Sequence, residues 1–233
     1  MNTATYQHRR SEIEHYFDRT AAQTWARLTS DAPVGRIRAT VRAGRDRMRA
    51  TLLSWLGEDL RGRRILDAGC GTGALAIEAA RRGADVVAID LSPTLVALAH
   101  ERLPESLGAG SVHFCSGDML DPALGPFDHV VAMDSLIHYR AHDVVAALSR
   151  LAERTRHSMV FTAAPRTPAT LAMLTVGKLF PRSDRSPAIE PIAPAELRRL
   201  MTADRSLTAW HTGRYQNIAS GFYKSQAMEW VRP

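Results

Sequence analysis

Apolar positions along the chain follow two rhythms. From about Arg10 to Gly57 they recur every three or four residues, at Ile13, Tyr16 and Phe17 and later at Ile37, Val41, Met48, Leu52, Leu53 and Leu56. That is the period of amphipathic helices, and Ser30-Asp31-Ala32-Pro33 supplies a turn signal between them. After Gly62 short apolar runs alternate with helical stretches, the texture of strand–helix repeats in a parallel sheet. The pattern predicts strands over Arg64–Ala68, Asp85–Ile89, Ser111–Cys115, His129–Met133 and Ser158–Ala163, with helices starting near Gly73, Ser92 and His142. Ser92-Pro93 places a capping hydroxyl just before a proline at the first helical position. Beyond Pro165 an apolar stretch and a Pro, Ser and Arg-rich segment read as an insertion over the sheet. The tail predicts a helix over Pro194–Met201, then an edge hairpin from Leu207–His211 and Ile218–Tyr223. The expected organisation is a helical arm or lid over residues 1–60 and a core over 61–233, with a cap at about 165–195.

The length of 233 residues fits one elaborated domain. With 45% hydrophobic and 23% charged residues, disorder and fibrous repeats are excluded. The formal charge of +6 is almost wholly arginine, since the only lysines are Lys178 and Lys224. No block of like charge exceeds three residues, so the excess reads as solvated faces and not as a nucleic-acid tract. Cys70 and Cys115 form no CxxC pair or His cluster, so neither a disulfide scaffold nor a metal site is expected, and a reduced cytoplasm is the natural compartment. The N-terminus carries charge where a signal peptide needs apolar residues, and no run approaches a membrane span. Any membrane contact is therefore expected to be peripheral.

The strongest chemical feature is Ile65-Leu66-Asp67-Ala68-Gly69-Cys70-Gly71-Thr72-Gly73, a buried strand entering a glycine turn that opens a helix. Gly69, Gly71 and Ala74 also satisfy the GxGxxA spacing of dinucleotide sites, where a pyrophosphate sits on the helix N-terminus. Asp67 argues against that rival, because a carboxylate two residues before the first glycine repels phosphate and attracts an ammonium or sulfonium group. Asp90 ends the next strand, seventeen residues beyond Gly73, where an acidic group accepts both hydroxyls of a ribose. Asp118-Met119 follows the third strand and suits an adenine amino group and ring face. The three strand ends meet at a switch-point crevice.

LDAGCGTG, Asp90 and Asp118-Met119 together resemble the class I methyltransferases that use S-adenosylmethionine (SAM), over about residues 62–163. The resemblance implies a Rossmann-like α/β fold, a seven-stranded and mostly parallel sheet with helices on both faces. It implies SAM as the cofactor, bound by Asp67, Gly69, Cys70, Gly71, Gly73, Asp90, Leu91, Asp118, Met119, Met133 and Asp134. The segments HYFDRTAAQTWARL, TVRAGRDRMR, VVAMDSLIHYR, GKLFPRSDRSP and SGFYKSQAMEWV extend the likeness from about Glu14 to Val231. They resemble the magnesium-protoporphyrin IX O-methyltransferases of bacteriochlorophyll biosynthesis. That family implies methyl transfer to one propionate of the magnesium porphyrin, with the magnesium arriving inside the substrate. Its pathway also implies contact with the porphyrin-binding subunit of magnesium chelatase and a cytoplasmic location, peripheral on the inner face of the photosynthetic membrane.

A propionic acid resembles a glutamate side chain of pKa about 4.3, so it is an anion at neutral pH and needs no base. Catalysis then reduces to alignment and exclusion of water, which calls for a lid. Tyr16, Phe17 and Trp25 of the arm are the candidates for covering the cofactor and the porphyrin. The resemblance to the enzymes of oxygenic organisms implies a tyrosine just after the segment containing Trp25, where this chain has Thr29, so a role for that aromatic does not carry over. His138, after the fourth strand, can aim the carboxylate or offer a nitrogen to magnesium, and the absence of a proton to remove favours aiming. Arg166, Lys178, Arg182 and Arg185 are the candidates for the anionic propionates, and the Leu171–Phe180 stretch for the macrocycle or a membrane interface. The rivals are a quinone-type small-molecule methyltransferase and a noncatalytic tetrapyrrole carrier. Nucleic-acid methylation is disfavoured, because Met133-Asp134-Ser135-Leu136 stands where an Asn-Pro-Pro-Tyr type motif would lie.

Overall fold

The computed structural model describes residues 4–20, 29, 35–168, 170, 175 and 188–233. One sheet contains β1 (Arg64–Ala68), β2 (Asp85–Asp90), β3 (Ser111–Ser116), β4 (Phe127–Ala132), β5 (Thr155–Ala163), β6 (His211–Ser220) and β7 (Tyr223–Val231). Their spatial order is β3-β2-β1-β4-β5-β7-β6. The first five strands run parallel, and β7 enters antiparallel between β5 and β6. Strand order reverses at β1, which lies between β2 and β4, and that reversal opens a crevice at the carboxyl ends of the strands. The fold is the mostly parallel, doubly wound α/β architecture that the strand–helix alternation predicts.

Alternation along each strand sends side chains to two apolar layers. On one face Leu66, Val130, Phe161 and Trp230 pack with Leu148 of α5 (Ala141–Ala152) and with Leu197 and Met201 of α6 (Pro194–Ala203). Tyr6 and Ile13 of α1 (Ala4–His15) join that layer, and a π-helical turn at Tyr16–Thr20 continues the helix. On the other face Ile65, Val86, Val131 and Val160 pack with α2 (Arg36–Leu56), α3 (Ala74–Arg81) and α4 (Pro93–Glu101). Met48, Leu52 and Leu53 of α2 are fully buried there, each contributing roughly 1.5–3 kcal/mol of burial. The helix predicted as part of an arm is thus a layer of the core, whereas α1 buries only Tyr6 and Ile13. Gly44 permits the docking of α2, since a Cβ there would lie 2.5 Å from Cδ1 of Tyr223.

The β1 prediction matches to the residue, and Ser92 caps α4 by accepting a hydrogen bond from the Leu95 amide. The predicted C-terminal hairpin is displaced. Residues 205–207 form a 3-10 turn, and Leu207 and Trp210 are buried by packing, which mimics strand alternation. The second predicted strand straddles the true turn at Gly221-Phe222, where Gly221 takes φ +55°. The strand beyond it, β7, is flanked on both sides, so it is buried almost continuously and does not alternate.

Candidate active site

A cavity of about 270 Å³ opens where the carboxyl ends of β1, β2 and β4 meet, and Asp67, Gly69, Gly71, Asp90, Met133 and Asp134 line it. The glycine loop is tied down by its own backbone. The amides of Gly69 and Cys70 both donate to the Ile89 carbonyl, at 2.8 and 3.0 Å. Gly69 has φ +87°, and a Cβ there would come within 2.3 Å of Cβ of Ser135, whose hydroxyl donates to the Ala68 carbonyl at 2.7 Å. Only glycine allows this close approach of two loops. Gly73 lies behind the cavity lining, where a Cβ would strike the Phe114 ring at 2.6 Å. The missing side chain there serves helix–strand packing.

Two carboxylates form the floor. Asp67 is 1% exposed, and its Oδ2 has no hydrogen-bond partner. Burial, helped by the charge of Asp90, pushes its carboxyl up to about 7. Asp90 accepts the Gly71 amide at 2.8 Å and the Ser92 amide at 3.0 Å, while burial raises its carboxyl as well. A cationic ligand relieves both costs and a pyrophosphate adds to them. The orphaned Asp67 oxygen and the glycine cradle therefore fit the amino group and nucleoside of SAM, and the dinucleotide reading fails on the same charges. Cys70 and Leu91 also line the cavity, and burial pushes the Cys70 thiol up, so it stays protonated and inert.

Asp118 departs from its expected place. Its carboxylate accepts the Tyr6 hydroxyl at 2.9 Å, the Leu120 amide at 2.9 Å and Arg10 Nη1 at 3.2 Å, while its neighbours Gly117 and Met119 line the cavity. The side chain that spacing assigned to adenine serves to fasten α1. That helix lies across the crevice, with the Tyr6 ring stacked on Tyr139 at 4.9 Å. Thr5 donates to Asp143 at 2.8 Å and Arg9 to Glu190 at 3.0 Å. Farther on, Asp18 accepts the Ser92 and Thr94 hydroxyls at 3.2 and 2.6 Å. Phe17 lines the cavity and sets its ring edge-on to His138 at 6.0 Å, whereas Tyr16 abuts Phe17 from outside the lining. His138 is buried in a 3-10 turn after β4, on the cavity wall.

The opposite wall is one that strand-end reasoning missed. Arg42, Arg45, Asp46 and Arg49 enter the cavity from α2. Arg45 Nη1 lies 2.6 Å from Asp134 Oδ2, and the Tyr223 hydroxyl donates to Asp134 Oδ1 at 3.0 Å. The Asp134 amide donates to Thr162 Oγ1 at 2.7 Å, and Asp134, at φ 57°, is the one non-glycine residue with positive φ among the described residues. The spacing of residues 42, 45 and 49 was the available signal, because it sets three guanidinium groups on one helical face. Arg166, expected near the propionates, is exposed and lies 3.9 Å from Glu196, outside the cavity lining. Trp25, Lys178, Arg182 and Arg185 lie outside the described residues. Thr29 lines the cavity, and its hydroxyl accepts Arg102 Nη1 at 2.8 Å.

Comparison with known proteins agrees with this geometry. The profile of the magnesium-protoporphyrin IX methyltransferase C-terminus matches residues 132–232, and that of a methyltransferase domain matches residues 65–158. The crystal structure of magnesium protoporphyrin IX methyltransferase (ChlM) from Synechocystis PCC 6803 with bound SAH superimposes with a TM-score of 0.83 at 27% identity, covering 96% of this chain and 99% of that one. A magnesium-protoporphyrin O-methyltransferase from Synechocystis sp. is 29% identical over 94% of this chain and 95% of its own length. The magnesium-protoporphyrin O-methyltransferase of Rhodobacter capsulatus is 53% identical over 95% of this chain and 96% of its own length. By that end-to-end identity and the shared fold, the chain belongs to the magnesium-protoporphyrin O-methyltransferase family.

Proposed function

We propose that this protein transfers the methyl group of SAM to a propionate carboxylate of magnesium protoporphyrin IX, leaving the monomethyl ester and S-adenosylhomocysteine (SAH). The observation that carries the reading is the pair of carboxylates, buried Asp67 and half-buried Asp90, beneath a glycine loop in a chain 53% identical to a relative of that activity. Bound SAM supplies an electrophilic methyl carbon on a sulfonium.

The chain's own residues then have three tasks. Asp67 and Asp90 hold the cationic and hydroxylic parts of the cofactor, and their buried negative charge favours a positively charged ligand. Ile13, Phe17 and Tyr139 exclude water from the cavity, which matters because a hydrated carboxylate is a poor nucleophile. His138 borders the same space, with its Nδ1 turned to the Ala188 carbonyl at 3.4 Å, and is the group placed to meet the incoming carboxylate and aim it. No general base is assigned, since the propionate is ionised well below neutral pH.

The deciding experiment incubates the protein with SAM and magnesium protoporphyrin and reads the product by mass spectrometry. One added methyl ester is expected, and a substrate recovered unchanged overturns the proposal. Contact with the porphyrin-binding subunit of magnesium chelatase and a cytoplasmic, membrane-peripheral location belong to the same proposal, supported by the chemistry of a poorly soluble substrate. Co-sedimentation with that subunit and with membranes tests them. Among the described residues no helix is long and apolar enough to cross a membrane.

A further inference from the structure

As the described residues line it, the cavity of about 270 Å³ suits one ligand of nucleoside and amino-acid size and leaves no room beside it for a tetrapyrrole ring. If the substrate is the porphyrin proposed above, its macrocycle lies outside the mouth and only a propionate arm enters. Four large apolar side chains are exposed among the described residues: Ile37 at 58%, Phe222 at 53%, Tyr215 at 39% and Leu103 at 36%. The two most exposed lie near the N-terminal end of α2, whose Arg42, Arg45 and Arg49 line the cavity, and in the β6–β7 turn packed against that helix.

Helical spacing orders that region. Ile37, Val41, Gly44 and Met48 form one stripe of α2, facing the β6–β7 hairpin: Tyr223 packs on Gly44, and a Cβ on Gly221 would lie 2.3 Å from Oγ1 of Thr40. Phe222 is the outermost residue of that hairpin, next to the Tyr223 whose hydroxyl reaches the cavity at Asp134. The adjacent stripe of α2 is Arg38, Arg42, Arg45 and Arg49, whose last three members line the cavity, while Arg38 stands exposed one turn above them. An apolar pair beside a cationic stripe complements a flat apolar ring that carries two carboxylates on one edge.

We propose that Ile37 and Phe222 form the shelf on which the substrate macrocycle rests, and that Arg38 meets the propionate that is not methylated. The inference rests on the substrate reading above. It also accounts for a single methylation, since the monoester turned end for end would set a neutral ester against Arg38.

The test is titration of magnesium protoporphyrin, followed by its Soret band, into the SAH-loaded protein, its Ile37→Ser/Phe222→Ser double variant and Arg38→Gln. All three positions are exposed, so the thermal unfolding midpoint stays that of the parent. A rise of about tenfold in the porphyrin Kd for the double variant and of a fewfold for Arg38→Gln is expected, with SAH affinity by calorimetry unchanged. Unaltered porphyrin affinity in both overturns the shelf. If affinity is unaltered while binding to phosphatidylglycerol vesicles is lost, the patch is a membrane seat and the proposal is likewise overturned. Failure of the parent protein itself to bind magnesium protoporphyrin sinks the substrate reading, and the shelf with it.

Discussion

Arg45 and Asp134 close the cavity wall between α2 and the end of β4, their charged groups 2.6 Å apart and their side chains 19% and 7% exposed. Asp134 sits there in a left-handed backbone conformation that a non-glycine residue adopts at a cost of about 1–3 kcal/mol. The cost is met by Arg45, Tyr223 and Thr162, one from each of α2, β7 and β5. The residue after Asp134 is Ser135, pinned to the Ala68 carbonyl, and His138 follows three positions later, so this clamp sets the loop that carries His138.

Removing Arg45 leaves the half-buried Asp134 carboxylate without its ion pair, held by Tyr223 and Thr162 alone. Arg45→Met is expected to destabilise the protein by about 1–2 kcal/mol, the penalty for a half-buried charged group left short of one partner. Arg45→Met/Asp134→Asn should recover a large part of the loss, because asparagine tolerates positive φ and carries no charge. Thermal unfolding of the parent, the two single variants and the double variant measures the coupling, and strictly additive losses would refute the clamp.

Asp67 gives a pH signature. Its carboxyl, held at about 7 in the ligand-free protein and near 3.8 in an unfolded chain, binds more protons folded than unfolded. Its contribution to stability is therefore full below about pH 4 and is lost as the pH rises through about 7. The ligand-free Asp67→Asn variant should be more stable than the parent at pH 8, on the order of 2 kcal/mol, while SAM affinity drops at least about tenfold. Calorimetry of SAM binding near pH 7 in buffers of different ionisation enthalpy should show proton release that Asp67→Asn abolishes. Equal proton release from both proteins would contradict this role.

His138 is assigned alignment and not proton transfer. His138→Ala is expected to lower kcat by about a hundredfold and leave SAM affinity within a factor of about two. Isothermal titration beside steady-state kinetics separates the two effects. A comparable loss of SAM binding would show that the side chain belongs to the cofactor site instead.

The polar fastening of α1 predicts a kinetic effect. Tyr6→Phe keeps the stack on Tyr139 and deletes the hydrogen bond to Asp118, a loss of about 1–2 kcal/mol from the closed helix. Faster amide exchange over residues 4–15 and a several-fold faster SAH release by stopped flow are expected. An unchanged release rate would separate α1 from the path of the ligand.

Much of the site was legible in the chain because strand ends and glycine turns are local. Ile65–Gly73 declares a buried strand and a turn that only glycine can make, and Asp67 and Asp90 fall at the ends of β1 and β2, where the cavity forms. Asp118 shows the limit of such reading: its place after β3 was correct, yet its carboxylate is taken by Tyr6 and Arg10, more than a hundred residues earlier in the chain.

The sequence by itself determined the parallel strand–helix core, the glycine loop and the acidic floor, since each rests on contacts between near neighbours or on an apolar period. The tertiary structure alone decided that α2 is a core layer whose arginines wall the cavity, that β7 is an interior strand, and that α1 crosses the crevice. Those outcomes depend on which surfaces meet once the sheet has formed. A helix period states that one face is buried and is silent on what buries it; the Tyr223 ring seated on Gly44 supplies that answer.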